Sequence, residues 1–232
     1  MWSGGGNAGE DFEVVVGGIE LATLVFMHYK QVDDSLLPLK IQTVDTGYGL
    51  ERIVWLTNRT PTIYDAVLKP IIQKLRALSG ITPPEERVFI EASKIAGLMD
   101  LKTGKSLKNL RFKIAEKIGV STDELEKTIS PMETVYATAD FTRTLVFMLG
   151  DGVVPSNSEA GYLVRLLIRK ILRNMHSLGL DESIMEVLSL QLEEVSKDFS
   201  EYKEKSDVIY DVVRIEEKRL KETLERGKNL VK

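Results

Sequence analysis

The chain has 232 residues, is 43% hydrophobic and carries a net charge of −4, which is enough apolar material for a real core, long for one domain and short for two. It contains no cysteine, which excludes disulfides and thiolate zinc sites, and His28 and His176 alone cannot build a metal centre. No apolar run reaches the roughly eighteen residues of a membrane span, and the N-terminus is glycine-rich rather than basic and apolar, so the expectation is a soluble, cytoplasmic protein with no membrane partner.

In chain order, the first part reads as strands at Phe12–Val16, Leu24–Tyr29 and Ile41–Val44, joined by glycines and by Asp33-Asp34-Ser35. From Gly47 onward the period turns helical, with segments predicted at 48–57, 64–79, 85–101, 106–118, 122–128, 132–149, 158–178, 181–195 and 200–231. Thr82-Pro83-Pro84 and Ser130-Pro131 are read as breaks, because proline drives the preceding residue away from the helical region. Ser121 with Glu124 three residues later has the form of a capping box.

The modest net charge conceals segregation. Lys102, Lys105, Lys108, Arg111, Lys113 and Lys117 face only Glu116, whereas between Asp181 and Asp207 nine carboxylates meet three lysines. Such sorting lets a chain offer one face to a polyanion and keep another solvated, although either run is also what a solvated face without a partner looks like.

Two segments carry the chemistry. The first, Val44-Asp-Thr-Gly-Tyr-Gly-Leu-Glu-Arg52, sets two glycines, two carboxylates and an arginine where a strand gives way to a helix. Gly47 and Gly49 strip two side chains from the expected turn, so that a nucleotide can approach the backbone, and Arg52 offers a planar, permanently charged fork to a polyphosphate. A tight turn beside a surface ion pair is the plainer reading of the same residues. The second is Ala139-Asp-Phe-Thr-Arg-Thr-Leu through Asp151-Gly-Val-Val-Pro-Ser-Asn157 and on to Gly161-Tyr-Leu-Val-Arg165. Arg165, Arg169 and Arg173 recur every fourth residue and share a helix face, with Leu163, Val164, Leu167, Ile168, Ile171 and Met175 as the apolar side. Three arginines on one ridge need anions between them, either protein carboxylates or a bound polyanion. Asn157 either caps the helix that follows or presents its amide to a ligand.

Asp45-Thr-Gly-Tyr-Gly-Leu-Glu-Arg52 resembles motif 3 of the class II aminoacyl-tRNA synthetases, in the form found in the alanyl-tRNA synthetases. Trp2-Ser-Gly-Gly-Gly-Asn-Ala-Gly9, with Glu10-Asp11 in place of the family's usual Pro-Cys, is similar to the archaeal form. The resemblance implies that Arg52 contacts the γ-phosphate of a bent ATP with Gly49 and Glu51 beside it. It also implies that Asp45 binds the α-amino group of alanine, and that Gly47 lines the small amino-acid pocket. Thr23 stands where many bacterial relatives have an asparagine facing that amine, and plain sheet packing accounts for a strand threonine equally well.

The Ala139 to Arg173 block is similar to the family's tRNA-recognition domain, with Phe141 in place of histidine and Glu159-Ala160 where relatives often read Gly-Arg. The resemblance implies that Asn157 reads the G·U wobble pair of the tRNA(Ala) acceptor stem and that Arg165, Arg169 and Arg173 flank the RNA. Glu216 to Gly227 resembles the helix closing that domain, with Leu220 for the usual aromatic; taken alone it is a charge-laced amphipathic helix with pairs such as Glu217 and Lys221.

The implied fold is α+β: the C-terminal part of an antiparallel catalytic sheet over residues 1–60, then a mostly α-helical tRNA-recognition domain over 61–232. Implied too are ATP with Mg2+, alanine and tRNA as substrates, no zinc site, and dependence on the rest of a synthetase. That remainder comprises a segment with motifs 1 and 2 and the editing and C-terminal domains. A non-catalytic tRNA-binding module and a helical protein-interaction domain are the alternatives.

Overall fold

The computed structural model of the protein describes residues 2–96 and 107–230. The lysines at 102 and 105 and the expected helix beyond residue 96 lie outside that range. Two compact units divide between Val67 and Leu68.

The first unit is an antiparallel meander in the order β1 (Trp2–Gly4), β2 (Asn7–Val16), β3 (Ile19–Val32) and β4 (Ser35–Tyr48). Each turn between neighbours has two residues. Gly5-Gly6 and Gly17-Gly18 hold φ of 58°, 79°, 59° and 85°, and Asp33 sits at 50°, conformations matched to the right-handed twist of the flanking strands. The strands outrun the expected ones because hairpin ladders carry pairing into polar residues that show no apolar alternation. Two register irregularities bend β3. Val14 pairs with Ala22 while Val15 pairs with Glu20, leaving Leu21 as an extra residue, and His28 is passed over between Met27 and Tyr29. Helix α1 (Leu50–Asn58) packs on β3 and against the short α2 (Ile63–Val67).

The second unit is helical throughout: α3 (Lys69–Ser79), α4 (Glu86–Ala96), α5 (Leu107–Ile118), α6 (Thr122–Gly150), α7 (Glu159–Ser177), α8 (Ile184–Ser196), a 3-10 turn (Ser200–Lys205) and α9 (Ser206–Leu230). Helix α6 is its hub, touching α3, α5, α7, α8 and α9. Val135, Ala139 and Leu145 of α6 are fully buried, as are Ile168 of α7, Leu188 of α8 and Ile209 of α9. The Ser121 capping box forms as expected: Ser121 Oγ accepts from the Glu124 N–H at 3.2 Å and the Ser121 N–H donates to Glu124 Oε2 at 2.8 Å.

The break expected at Ser130-Pro131 does not occur; α6 runs through Pro131. Proline costs an interior helix about 3 kcal/mol through its missing N–H and ring clash. Tertiary packing offsets this, since Leu125 and Met132 on either side are each 1% exposed. Arg111 of α5 also straddles the position, pairing with Glu126 on one side and with Glu133 at 2.6 Å on the other, and reaching Ser130 Oγ at 3.3 Å. The helix expected at 64–79 is divided at Leu68, ahead of Pro70 in the first turn of α3, and that expected from residue 200 opens as the 3-10 turn.

Candidate functional site

The sheet unit gathers its candidate residues by strand register. Directly paired residues share a face, so Thr23 lies between Glu13 and Gly47, while Val25 lies between Asp11 and Asp45. The extra residue at Leu21 reverses the alternation and turns Glu20 onto the same face. There Glu20 Oε1 accepts a hydrogen bond from Thr23 Oγ1 at 2.8 Å. Thr23 is therefore more than sheet packing, and Asp11, Glu13, Glu20 and Asp45 make this an acidic face.

Gly47 is not in the turn expected from the sequence. It belongs to β4, which continues to Tyr48, and only Gly49 separates strand from helix. Neither glycine has a positive φ, so neither is required by backbone conformation. Their value is space. A Cβ on Gly47 would meet nothing within 4 Å, whereas one on Gly49 would lie 3.0 Å from Arg52 Cδ, so Gly49 clears a path for the arginine stem. The Gly49 N–H donates to the bulged Leu21 carbonyl at 2.9 Å, tying the start of α1 to the irregularity that aims Glu20.

Arg52 Nη1 lies 3.3 Å from Glu20 Oε2 and donates to the Glu20 carbonyl at 3.0 Å, with the arginine side chain 47% exposed. The surface ion pair foreseen as the plainer alternative thus exists, but half-exposed, where such pairs contribute about 0–1 kcal/mol. Glu51 is exposed in the first turn of α1, and Asp45 is exposed on its strand. Glu20 is the residue that sequence reading missed, since its place on this face depends on the bulge.

In the helical unit, Asn157 is exposed in the loop leading to α7. It does not cap that helix. The capping position is Ser158, which makes no side-chain capping bond, and Asn157 Oδ1 instead accepts a short hydrogen bond from Arg165 Nη1. The loop is held by Ser156 Oγ, which donates to the Ser158 carbonyl at 2.8 Å, and by Gly161, where a Cβ would come within 2.3 Å of Ser156 Oγ and 2.4 Å of the Val154 carbonyl.

The three ridge arginines occupy different surroundings. Arg165 is mostly buried and pairs with Glu216 of α9, Nε to Oε2 at 3.2 Å, so its anion is a protein carboxylate. Arg169 is half-buried, and its Nε makes no hydrogen bond among the described residues. Arg173 is exposed and lines an open groove between α6 and α7 with Lys170, Asn174, Glu133 and Phe141. Lys170 Nζ stands 5.5 Å above the Phe141 ring, so the residue replacing histidine supplies an aromatic floor for a cation. Leu163, expected on the apolar side of α7, is 45% exposed, and Val164, Ile168 and Ile171 carry that side. The basic run is also partly spent within the protein: Arg111 is bound as described, and Lys117 pairs with Glu91 at 2.6 Å.

Behind the loop, Tyr202 donates to Asp151 Oδ1 at 2.6 Å and packs edge-on against Phe147. The bond to Asp151, followed by burial, pushes the phenol up to about 12. Among the described residues, no group of three or more His, Cys, Asp or Glu side chains could hold a metal ion, and no helix is long and apolar enough to cross a membrane.

An antiparallel sheet whose last strand delivers a glycine-flanked arginine at a helix start, followed by a helical unit, is the arrangement of a class II synthetase fragment. The model for "tRNA synthetases class II (A)" matches residues 1–232, and the chain belongs to that family. It is 48% identical over its whole length to the alanine–tRNA ligase of Pyrococcus abyssi and 47% identical to that of Thermococcus kodakarensis, covering 27% of each. To the alanine–tRNA ligase of Methanococcus maripaludis it is 47% identical over 99% of the chain and 26% of the relative. The chain thus spans about a quarter of the length of the curated relatives it matches.

Proposed function

We infer that this chain supplies part of an alanine–tRNA ligase, residues 1–60 as part of the aminoacylation domain and 61–232 as the unit that recognises the acceptor stem of tRNA(Ala). The reading is carried by the shared sheet face of Thr23, Gly47 and Asp45, in a chain whose whole length aligns with about a quarter of an alanine–tRNA ligase. On that face Asp45 offers a carboxylate to the α-ammonium of alanine. The open space over Gly47 suits a methyl side chain, and Thr23, held by Glu20, borders it. Arg52 takes the terminal phosphate of ATP beside Gly49 and Glu51, exchanging its weak, half-exposed partner Glu20 for a bidentate phosphate contact. ATP supplies the activation of the alanine carboxylate. Mg2+ would be held by the ATP phosphates with one or two carboxylates beside them and would neutralise the phosphate charge.

In the helical unit, Asn157 faces the G·U pair in the wide minor groove of the stem, and Arg169 and Arg173 with Lys170 lie along the phosphates. The reading requires the segments that the longer relatives possess and this chain does not span. Mixing the chain with such a complementary segment and measuring alanine-dependent exchange of pyrophosphate into ATP tests it. Exchange is expected, and Arg52→Ala is expected to lower it at least a hundredfold, the scale of losing a charged contact to a reacting phosphate. Exchange that is absent, with stem binding intact, favours a binding module that does no chemistry.

A further inference from the structure

Glu216 is 2% exposed, and a buried carboxylate is tolerated only where donors meet it. Two arginines do so. Arg165 reaches it from α7 with Nε to Oε2 at 3.2 Å and Nη2 to Oε1 at 3.5 Å, and Arg219 from the next turn of α9 with Nη1 to Oε1 at 2.7 Å. With two of its three nitrogens fixed on one buried carboxylate, the rigid plane of the Arg165 guanidinium has no freedom left in where Nη1 points. That third nitrogen donates to Asn157 Oδ1.

A free carboxamide presents donor and acceptor ends interchangeably, because it rotates about its terminal bond at little cost. A guanidinium can only donate, so it selects the oxygen and leaves the amide nitrogen as the end that meets a ligand. We propose that Arg165, clamped by Glu216, is a positioning residue that locks the Asn157 amide for RNA readout. Asn157 then acts as a donor, recognising acceptor atoms on a base edge or a ribose oxygen of an A-form stem. The inference rests on Asn157 as a base reader and adds the device that gives it one orientation. An arginine whose role is only to neutralise Glu216 is the competing account, and Arg165→Lys separates the two: it keeps the charge beside Glu216 but lacks the fork that spans both partners.

The test uses the full chain and two measurements. Nitrogen relaxation of the Asn157 side-chain amide reports its order without RNA. Binding to two hairpin stems, identical except for a G·U or a G·C pair at one position, reports discrimination. The expectation is an ordered amide in the wild type that becomes mobile in Arg165→Lys, with the preference for the G·U stem falling about fivefold or more, toward that of Asn157→Ala. The double variant is expected to lose no more than Asn157→Ala alone. Glu216→Gln, which keeps shape and removes charge, is expected to release the amide in part and serves if the lysine variant does not fold. An amide equally ordered in Arg165→Lys overturns the proposal, as does wild-type preference in Arg165→Lys while Asn157→Ala loses it. Should Asn157→Ala itself keep the preference, the base-reading role of Asn157 falls, and the proposal with it.

Discussion

Replacing Gly161 by alanine puts the placement of the Asn157 loop to the test. In an open helix site this substitution gains up to about 1 kcal/mol through backbone entropy. At Gly161 the added methyl would lie 2.4 Å from the Val154 carbonyl and 2.3 Å from Ser156 Oγ, about 1 Å inside van der Waals contact with a backbone atom that cannot rotate away. The loop must move, and overpacking of that kind costs about 1–3 kcal/mol, leaving a net loss centred on about 1 kcal/mol. For a unit of this size that is roughly 2–4 °C in Tm. Gly227→Ala supplies the reference: it sits late in α9 with nothing within 4 Å of the added methyl, and should gain stability or leave it unchanged. Thermal denaturation followed by circular dichroism gives the difference between the two variants, and stem binding by Gly161→Ala should fall with the displaced loop. If Gly161→Ala melts at or above the temperature of Gly227→Ala with stem affinity unchanged, the packing of Gly161 against the loop is not what fixes Asn157.

Glu159 opens α7 at a φ of 52°, a left-handed conformation that costs a side-chain-bearing residue about 1 kcal/mol, so Glu159→Gly should raise the free energy of unfolding by about that amount in urea titration; a loss would contradict it. Tyr202 should ionise well above the ordinary tyrosine range in an absorbance titration, near pH 12. Because the folded state holds the Tyr202 proton more tightly than the unfolded chain, its contribution is complete below pH 10 and disappears as pH rises toward about 12. Tyr202→Phe should flatten that part of the stability profile, and an unchanged slope would discount the bond to Asp151. Arg111→Met should destabilise the helical unit by about 2 kcal/mol, since it strips Glu126 and Glu133 of their shared cation and removes the brace across Pro131; an unshifted urea midpoint would show that the brace contributes nothing.

Local chemistry was legible wherever it was self-contained. Ser121 and Glu124 lie three residues apart and cap their own helix, so the sequence carries the whole interaction. Pro131 was misread because its penalty is local while its compensation, Arg111, comes from another helix. Gly47 was assigned to a turn because composition suggests one, yet pairing with Thr23 extends the strand through it. Glu20 joins its neighbours only because one extra residue at Leu21 reverses the alternation, and no periodic pattern shows a bulge. Glu216 did leave a trace. With Ile209 and Val213, each 0% exposed, it falls on one stripe at helical spacing, and a lone acid in an apolar stripe asks for a cation elsewhere in the fold. The partner, Arg165, lies 51 residues away, a separation that spacing rules do not reach.

Ties of that span also set how far the polypeptide can be trimmed. Tyr202 closes on Asp151, Lys205 Nζ donates to the Gly150 carbonyl at 2.7 Å, and Glu216 closes on Arg165, so three separate threads stitch the end of α6 and the start of α7 to the last quarter of the chain. A version shortened to stop before residue 216 would strand the Arg165 guanidinium without its carboxylate, and one shortened to stop before residue 202 would lose the other two ties as well. The smallest autonomous piece carrying Asn157 therefore has to include α9 as far as Glu216, although that helix itself displays no reactive group.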